Sequence, residues 1–165
     1  MLPNDIVKNR DLILNDYKIG FESRQASIAG RKEVLSGKAK FGIFGDGKEL
    51  PQLVLSHFFR DGDWRSGYYR DQTLMIALGI LDTEEFFSQL YGTPDAKVNK
   101  SNGGRLMNNH FASHSIDDAG NWNDLTKQKN TSADISPTAG QMPRLLGLAL
   151  ASKWYRHHAT DKRFS

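Results

Sequence analysis

The segment from residue 92 to 135 places the strongest limit on what this chain can fold into. Its 44 residues are rich in Asn, Ser, Gly, Asp and Lys, and they show only weak apolar periodicity. Loops of that length without secondary structure are uncommon in compact domains and are often functional. The sequence leaves two alternatives open here, a functional loop and a disordered segment.

Helical patterns lie on both sides of this segment. Apolar residues recur near the 3.6-residue period from Asn4 to about residue 36, and Asn4 is a plausible N-cap. Gly20 and Gly30 leave open whether this is one long helix or two shorter ones. Shorter helices are predicted over 49–59, 72–81 and 83–91, with Asp82 or Thr83 capping the last of these.

The final helical pattern runs over 141–156 and is apolar on more than one face, so we expect this helix to be buried. Glycine is dense in the segment 37–50, which predicts a loop that approaches another backbone closely or adopts positive φ. The segment 61–71 predicts a turn followed by a short strand.

Composition excludes several classes of protein. The chain has 165 residues without cysteine, which rules out a disulfide scaffold, a thiolate zinc site and a cysteine nucleophile. Its net charge of +3 includes no long run of like charge, so nothing favours a nucleic-acid partner. No apolar run approaches the length of about 20 residues that crosses a bilayer. The charged first 20 residues do not fit a signal peptide, so we expect a cytoplasmic protein without membrane contact.

A first candidate site is the stretch Tyr69-Arg70-Asp71, predicted at a junction between a strand and a helix. The planar guanidinium of Arg70 suits the oxygens of a bound phosphate, and the following helix would present its positive end nearby. The alternative is a surface salt bridge between Arg70 and Asp71 or Asp63, which we favour from these residues alone.

A second candidate is the stretch from Ser136 to Pro143, where small residues and two prolines fix a backbone that runs into the last helix. Exposed peptide groups in such a bend could pair with a heterocycle, although a plain helix start explains the pattern equally well. The pair His110 and His114 has the i, i+4 spacing of metal ligands, but its flanks predict a loop and no third ligand is evident.

Taken together, four motifs resemble the alpha chain of the thiamine-diphosphate-dependent 2-oxo acid dehydrogenases, the decarboxylating first component of the pyruvate and branched-chain multienzyme complexes. The resemblance covers about residues 40–156 and is nearest to the long form in which alpha and beta halves are fused. The motifs, in chain order, are Gly47-Lys48-Glu49, Tyr68-Tyr69-Arg70-Asp71 through Leu78-Gly79, Gly104-Arg105-Leu106-Met107 with His110, and Ser136 through Pro143.

The resemblance implies an α/β thiamine-diphosphate-binding fold, an open parallel sheet with helices on both faces. It implies an N-terminal helical arm over 1–36, and an incomplete N-terminal part of the cofactor-binding domain over 37–165. We expect this piece to consist mostly of helices and loops. The implied activity is that of an oxidoreductase acting on an oxo group, in which decarboxylation of pyruvate or a branched-chain keto acid precedes acyl transfer to a lipoyl domain.

The resemblance also implies specific site residues. Tyr69 and Arg70 would hold the diphosphate of the cofactor, while the backbone at Ser136 and Thr138 would contact its aminopyrimidine ring. His110 matches a position near the site entrance and is the candidate catalytic residue of this piece. The turn with Ser136, Pro137 and Gln141 is similar to a potassium site in branched-chain members, but Gly140 stands where those members have a hydroxyl residue.

Two parts of the family's machinery are not in this sequence. Gly45-Asp46-Gly47 resembles the start of the family's magnesium motif, but 60 residues separate Gly47 from the next asparagine pair at Asn108, so we reject Asp46 as a magnesium ligand. The expected magnesium ligands would lie beyond residue 165, and the activating glutamate would come from the beta half. The sequence therefore predicts an N-terminal fragment without decarboxylase activity of its own. Its partners would be the beta half or subunit and the lipoyl-bearing acyltransferase component.

Two alternatives come from other classes. A transketolase-like enzyme would share the fold but would not carry the Tyr-Arg-Asp stretch at this distance from the Ser-Pro turn. A non-catalytic helical interaction module would use residues 92–133 as a binding loop.

Overall fold

A computed structural model describes residues 8–164 of the chain. The proposed N-cap Asn4 lies outside the described residues. The elements are α1 (Arg10–Leu35), α2 (Glu49–Ser56), β1 (Trp64–Ser66), α3 (Gln72–Ala77), α4 (Thr83–Leu90), a 3₁₀ turn (Leu125–Lys127), β2 (Asn130–Ser132) and α5 (Gln141–His158). The described part is thus a helical body with a two-stranded sheet.

Helix α1 is continuous through both of its glycines. Gly30 sits where a Cβ atom would lie 2.5 Å from Cε1 of Phe44, so the missing side chain lets that ring pack against the helix. The structure thus has one long helix rather than two shorter ones. The buried side of this helix is made of small residues, namely Ser23, Ala26, Ser27 and Gly30.

Two of the shorter helices end earlier than the periodicity predicts. Helix α2 ends at Ser56, three residues short, and α3 ends at Ala77 because Gly79 turns the chain with a φ of 72°. Helix α4 starts as predicted, since the Asp82 carboxylate accepts the N–H of Glu85 at 2.7 Å.

The glycine-rich segment between α1 and α2 forms neither helix nor strand, as predicted. A Cβ atom at Gly45 would lie 2.9 Å from the carbonyl oxygen of Arg70. Gly47 has a φ of 88°. The loop therefore packs directly against the segment that precedes α3.

Strands β1 and β2 pair in parallel, with Arg65 opposite Thr131 and Ser66 opposite Ser132. This pairing places the two candidate segments side by side, because each follows one of the two strands in the chain. The parallel pair is too small to test the expected open sheet with helices on both faces.

The apolar core lies between α1, α3, α4 and the long polar segment. Its fully buried members are Ala26, Met75, Leu81, Phe86 and Phe111. Beside it runs a buried polar network centred on Gln72, whose Oε1 accepts hydrogen bonds from Ser27, Gly45 and Asn109. Gln72 also donates to the carbonyl oxygen of Ser23 at 2.8 Å. The segment 92–135 is therefore packed into the body in this structure, although only two short elements form within it.

The expectation that the last helix is buried is wrong for this chain. No residue of α5 is buried, and its contacts are made chiefly with β1. Leu146 is 74% exposed and Leu150 is 68% exposed. Apolar periodicity identified the helix, but burial depends on the elements packed around it, and few surround it here. Among residues 8–164, no helix combines the length and apolar character needed to cross a membrane.

Candidate functional site

The structure brings together the residues that the sequence singles out. Tyr69 and Arg70 lie between β1 and α3, whereas Ser136 and Thr138 lie in the turn between β2 and α5. His110, from the long polar segment, contacts both groups. We call these five residues the site cluster.

Arg70 is exposed, and its guanidinium carbon lies 5.7 Å from the centroid of the Tyr69 ring. Within residues 8–164, no carboxylate forms an ion pair with it. The expected surface salt bridge is therefore wrong. Asp71 pairs with Arg65 instead, and Asp63 accepts the backbone N–H of Arg60. Helix α3 has only six residues, so the guanidinium rather than a helix dipole is the group here whose charge suits an anion.

Tyr69 carries a hydroxyl group that is surrounded by other donors. The hydroxyl of Tyr68 donates to it at 2.8 Å. Hydrogen bonding to Tyr68, then to Thr138, together with the charge of Arg70, lowers the pKa of the Tyr69 phenol below its usual value. On the Arg70 side, the cluster thus presents one positive charge together with the hydroxyl groups of Tyr69 and Thr138, a donor set suited to phosphate oxygens.

His110 is 2% exposed, and its ring lies between the two candidate segments. Its Nδ1 atom is 3.1 Å from the carbonyl oxygen of Asn108, and its Nε2 atom is 2.9 Å from Oγ of Ser136. The His110 and Tyr69 rings stack with centroids 6.4 Å apart. His110 therefore joins the Tyr69 side of the cluster to the Ser136 side. His114 is exposed, and its Nε2 pairs with the carbonyl oxygen of Lys100, so these two histidines serve separate contacts.

The turn before α5 is rigidly held. The N–H of Gly140 donates to the Pro137 carbonyl at 3.1 Å, and Ser66 donates to the Gln141 carbonyl at 3.0 Å. Ala139 adopts a φ of 66°, which costs a residue with a Cβ atom about 1 kcal/mol. Such strained backbone is characteristic of functional sites. Two of the three potassium candidates, Ser136 and Pro137, lie in this turn, and Gln141 is the first residue of α5. Oε1 of Gln141 is buried and has no hydrogen-bond partner among the described residues.

A buried network of ion pairs and hydrogen bonds fixes the backbone segments next to the cluster. Arg65, which is 6% exposed, donates to both carboxylate oxygens of Asp134, at 3.1 and 3.0 Å, and to Asp71 at 3.0 Å. It also donates to Thr131 and to the Tyr68 carbonyl. One side chain thereby fixes β2, the segment after β1 and the N-terminus of α3.

Burial raises the pKa of Asp134, against the opposing effect of the Arg65 charge and its hydrogen bonds. Sequence reasoning missed this network. Arg65 lies in a three-residue strand, and its principal partner is 69 residues away, so no local pattern marks the pair.

A cavity of about 450 Å³ lies beside α2 and β1, and none of the five cluster residues lines it. Ser66 and Asp71 are among its lining residues, while apolar side chains, among them Phe58 and Leu145, form much of the rest. Its volume is in the range of small-molecule sites.

Metal ligands are not grouped within residues 8–164, where no three His, Asp or Glu side chains converge. Asp46, whose spacing from Asn108 excludes it as a magnesium ligand, forms an ion pair with Arg31 at 2.6 Å. No protein-family model matches the sequence.

Proposed function

We propose that this chain forms the cofactor-facing portion of a thiamine-diphosphate-dependent 2-oxo acid dehydrogenase. One observation carries the proposal: an exposed guanidinium without a carboxylate partner, that of Arg70, lies in one cluster with Tyr69 and the Ser136–Ala139 turn, which is strained at Ala139. An unpaired cation beside hydroxyl groups fits a ligand with oxyanions at that end.

In this proposal Arg70 and Tyr69 bind the diphosphate, and the backbone at Ser136 and Thr138 orients the aminopyrimidine ring. The bound cofactor supplies the carbanion chemistry that decarboxylates a 2-oxo acid. His110 holds the Ser136 side of the site in place through its hydrogen bond. The residues described here fit the organic cofactor but not its magnesium ion, whose ligands we assign to another part of the enzyme.

The exposed apolar surface supports the proposal that this portion works with a partner. The chain exposes 10374 Å², whereas a folded monomer of 18.6 kDa exposes roughly 8,200 Å². The eight undescribed residues contribute at most roughly 1,300 Å², so a surplus of roughly 900 Å² remains. A stable interface buries about 800 Å² per partner.

Helix α5 contributes strongly to this surplus, through Met142, Leu146 and Leu150. We assign its covering to the beta half of the enzyme, and we assign acyl transfer to a lipoyl-bearing acyltransferase. The same exposed apolar surface favours the second candidate, a non-catalytic helical interaction module. Such a module needs no cofactor.

Calorimetric titration with thiamine diphosphate and magnesium distinguishes these two candidates. Replacing a charge-assisted contact to phosphate costs about 1.5–3 kcal/mol, so Arg70→Ala is expected to weaken binding about 10- to 100-fold. Arg10→Ala is the matched control, because Arg10 is an exposed arginine on α1 outside the cluster. Equal affinity of the wild type and Arg70→Ala, or no binding by either, would favour the interaction module.

A further inference from the structure

Ser136 and His110 have the geometry of an activated nucleophile and its base. Oγ of Ser136 lies 2.9 Å from Nε2 of His110, and the other ring nitrogen lies 3.1 Å from the Asn108 carbonyl oxygen. The serine is exposed, whereas the histidine is buried. Nucleophile, base and orienting group therefore stand in the order that serine acyl transfer requires.

The orienting group fixes the histidine tautomer. A backbone carbonyl can only accept a hydrogen bond, so Nδ1 of His110 carries the proton that it donates to Asn108. In the neutral ring, Nε2 then has a free lone pair, which accepts the hydroxyl proton of Ser136. The ring is also held by its stacking on Tyr69, with centroids 6.4 Å apart, so this geometry does not depend on one hydrogen bond.

We propose that Ser136 is a nucleophile that reacts with small, activated carboxylic esters or thioesters, with His110 as its general base. The Ser136 oxygen forms a bond to the acyl carbon, and His110 takes the hydroxyl proton. The bond to the alcohol or thiol breaks, and the leaving group departs with that proton. Water then releases the acid from the acyl-serine by the same proton path, so no oxidant or further reactant is needed.

The surroundings of Ser136 suit this reaction and define its substrates. The backbone N–H groups of Thr138 and Ala139 have no acceptor within the described residues, and they lie in the exposed turn that follows the serine. They are available to a developing oxyanion. Arg70 adds a positive charge next to Tyr69, which favours acyl groups that carry a carboxylate or phosphate. This activity shares Arg70 and the Thr138 backbone with the proposed cofactor contacts, but it requires no thiamine diphosphate.

A fluorophosphonate tests the nucleophile directly in the cofactor-free chain. Ser136 displaces fluoride from phosphorus, and mass spectrometry locates the added group on a peptide. We expect one modification, at Ser136, and none in Ser136→Ala. His110→Gln should slow the labelling at least about 100-fold, the usual contribution of a general base. Circular dichroism of each variant reports whether it has folded. Labelling that is spread over several serines, or that is as fast in a folded His110→Gln variant, overturns the proposal.

A second variant keeps the test decisive if His110→Gln does not fold. The chain has no cysteine, so Ser136→Cys introduces a single thiol next to an intact His110. Its alkylation by iodoacetamide should be at least about tenfold faster than that of Ser36→Cys, because a neighbouring base raises the thiolate fraction. Ser36 is exposed and contacts only a backbone carbonyl, that of Glu33, through its hydroxyl. Equal alkylation rates in the two variants would show that His110 does not activate position 136.

Discussion

Replacing Arg65 with methionine should destabilise the fold more than any other single change near the cluster. The variant loses five hydrogen bonds and leaves the Asp134 carboxylate, whose side chain is 0% exposed, without a counter-charge. Only the Phe111 N–H, 3.2 Å away, still donates to it. Breaking a buried ion pair by removing one partner costs about 3–5 kcal/mol. That is a large fraction of the roughly 5–15 kcal/mol that stabilises a typical domain.

The stability lost in Arg65→Met should depend on pH in a defined direction. Burial already raises the pKa of Asp134, and losing Arg65 raises it further, because the Arg65 charge and hydrogen bonds oppose the effect of burial. Between the unfolded value near 3.8 and the raised folded value, the folded chain binds more protons than the unfolded chain. The free energy of unfolding therefore falls as pH rises through that window. Arg65→Met should lose less stability at pH 4.5 than at pH 7.

Urea denaturation followed by tryptophan fluorescence at both pH values measures these free energies of unfolding. The control is the double variant Arg65→Met with Asp134→Asn, in which the buried charge is absent. It should be more stable at pH 7 than Arg65→Met alone and should show little difference between the two pH values. A loss of stability of less than about 1 kcal/mol in Arg65→Met would be typical of an exposed ion pair. That result, or an equal loss of stability at both pH values, would show that Arg65 does not stabilise a buried Asp134 charge.

Three further predictions test other parts of the structure. A Cβ atom at Gly67 would lie 1.7 Å from Cζ of Arg65, whose side chain is held in place by its hydrogen bonds. Gly67→Ala should therefore lower the free energy of unfolding by about 2 kcal/mol in urea titrations. An unchanged midpoint of unfolding would contradict this close approach. Hydrogen bonding to Arg24 lowers the pKa of Glu49 to about 2, so its contribution is present above about pH 4.5 and is lost as pH falls through 2. Acid titrations should therefore show a smaller loss of stability over that range in Glu49→Gln, and an identical profile would count against the ion pair. Leu146→Gln should leave the melting temperature within about 2 °C, since Leu146 is 74% exposed. A large fall in melting temperature would mean that the side chain is buried.

The sequence predicted local elements well because their signals are local. Asp82 marked the start of α4 through a cap that spans three residues. The dense glycines of 37–50 indicated a loop with close backbone approach, which the structure confirms at Gly45. The convergence of the Arg70 and Ser136 segments was inferred from a family resemblance, and it depends here on the parallel pairing of β1 and β2.

Features that depend on distant partners were not predictable in the same way. Composition alone does not distinguish a polar loop exposed to solvent from a segment whose amide side chains are buried. The hydrogen bond from Asn109 to Gln72 therefore could not be predicted from the segment 92–135. Arg65 appeared as an ordinary charged residue in a short strand. The burial expected for α5 was wrong because periodicity gives the position of an apolar face but not what covers it.

The central claim is that Arg70 binds the diphosphate end of the cofactor. Nuclear magnetic resonance of the arginine side-chain Nε–Hε groups, assigned with Arg70→Lys, tests it during titration with thiamine diphosphate and with unphosphorylated thiamine. We expect a saturable shift of the Arg70 signal with thiamine diphosphate and no comparable shift with thiamine. An Arg70 signal that stays fixed while others move, or that responds equally to both ligands, would mean that Arg70 does not bind the diphosphate.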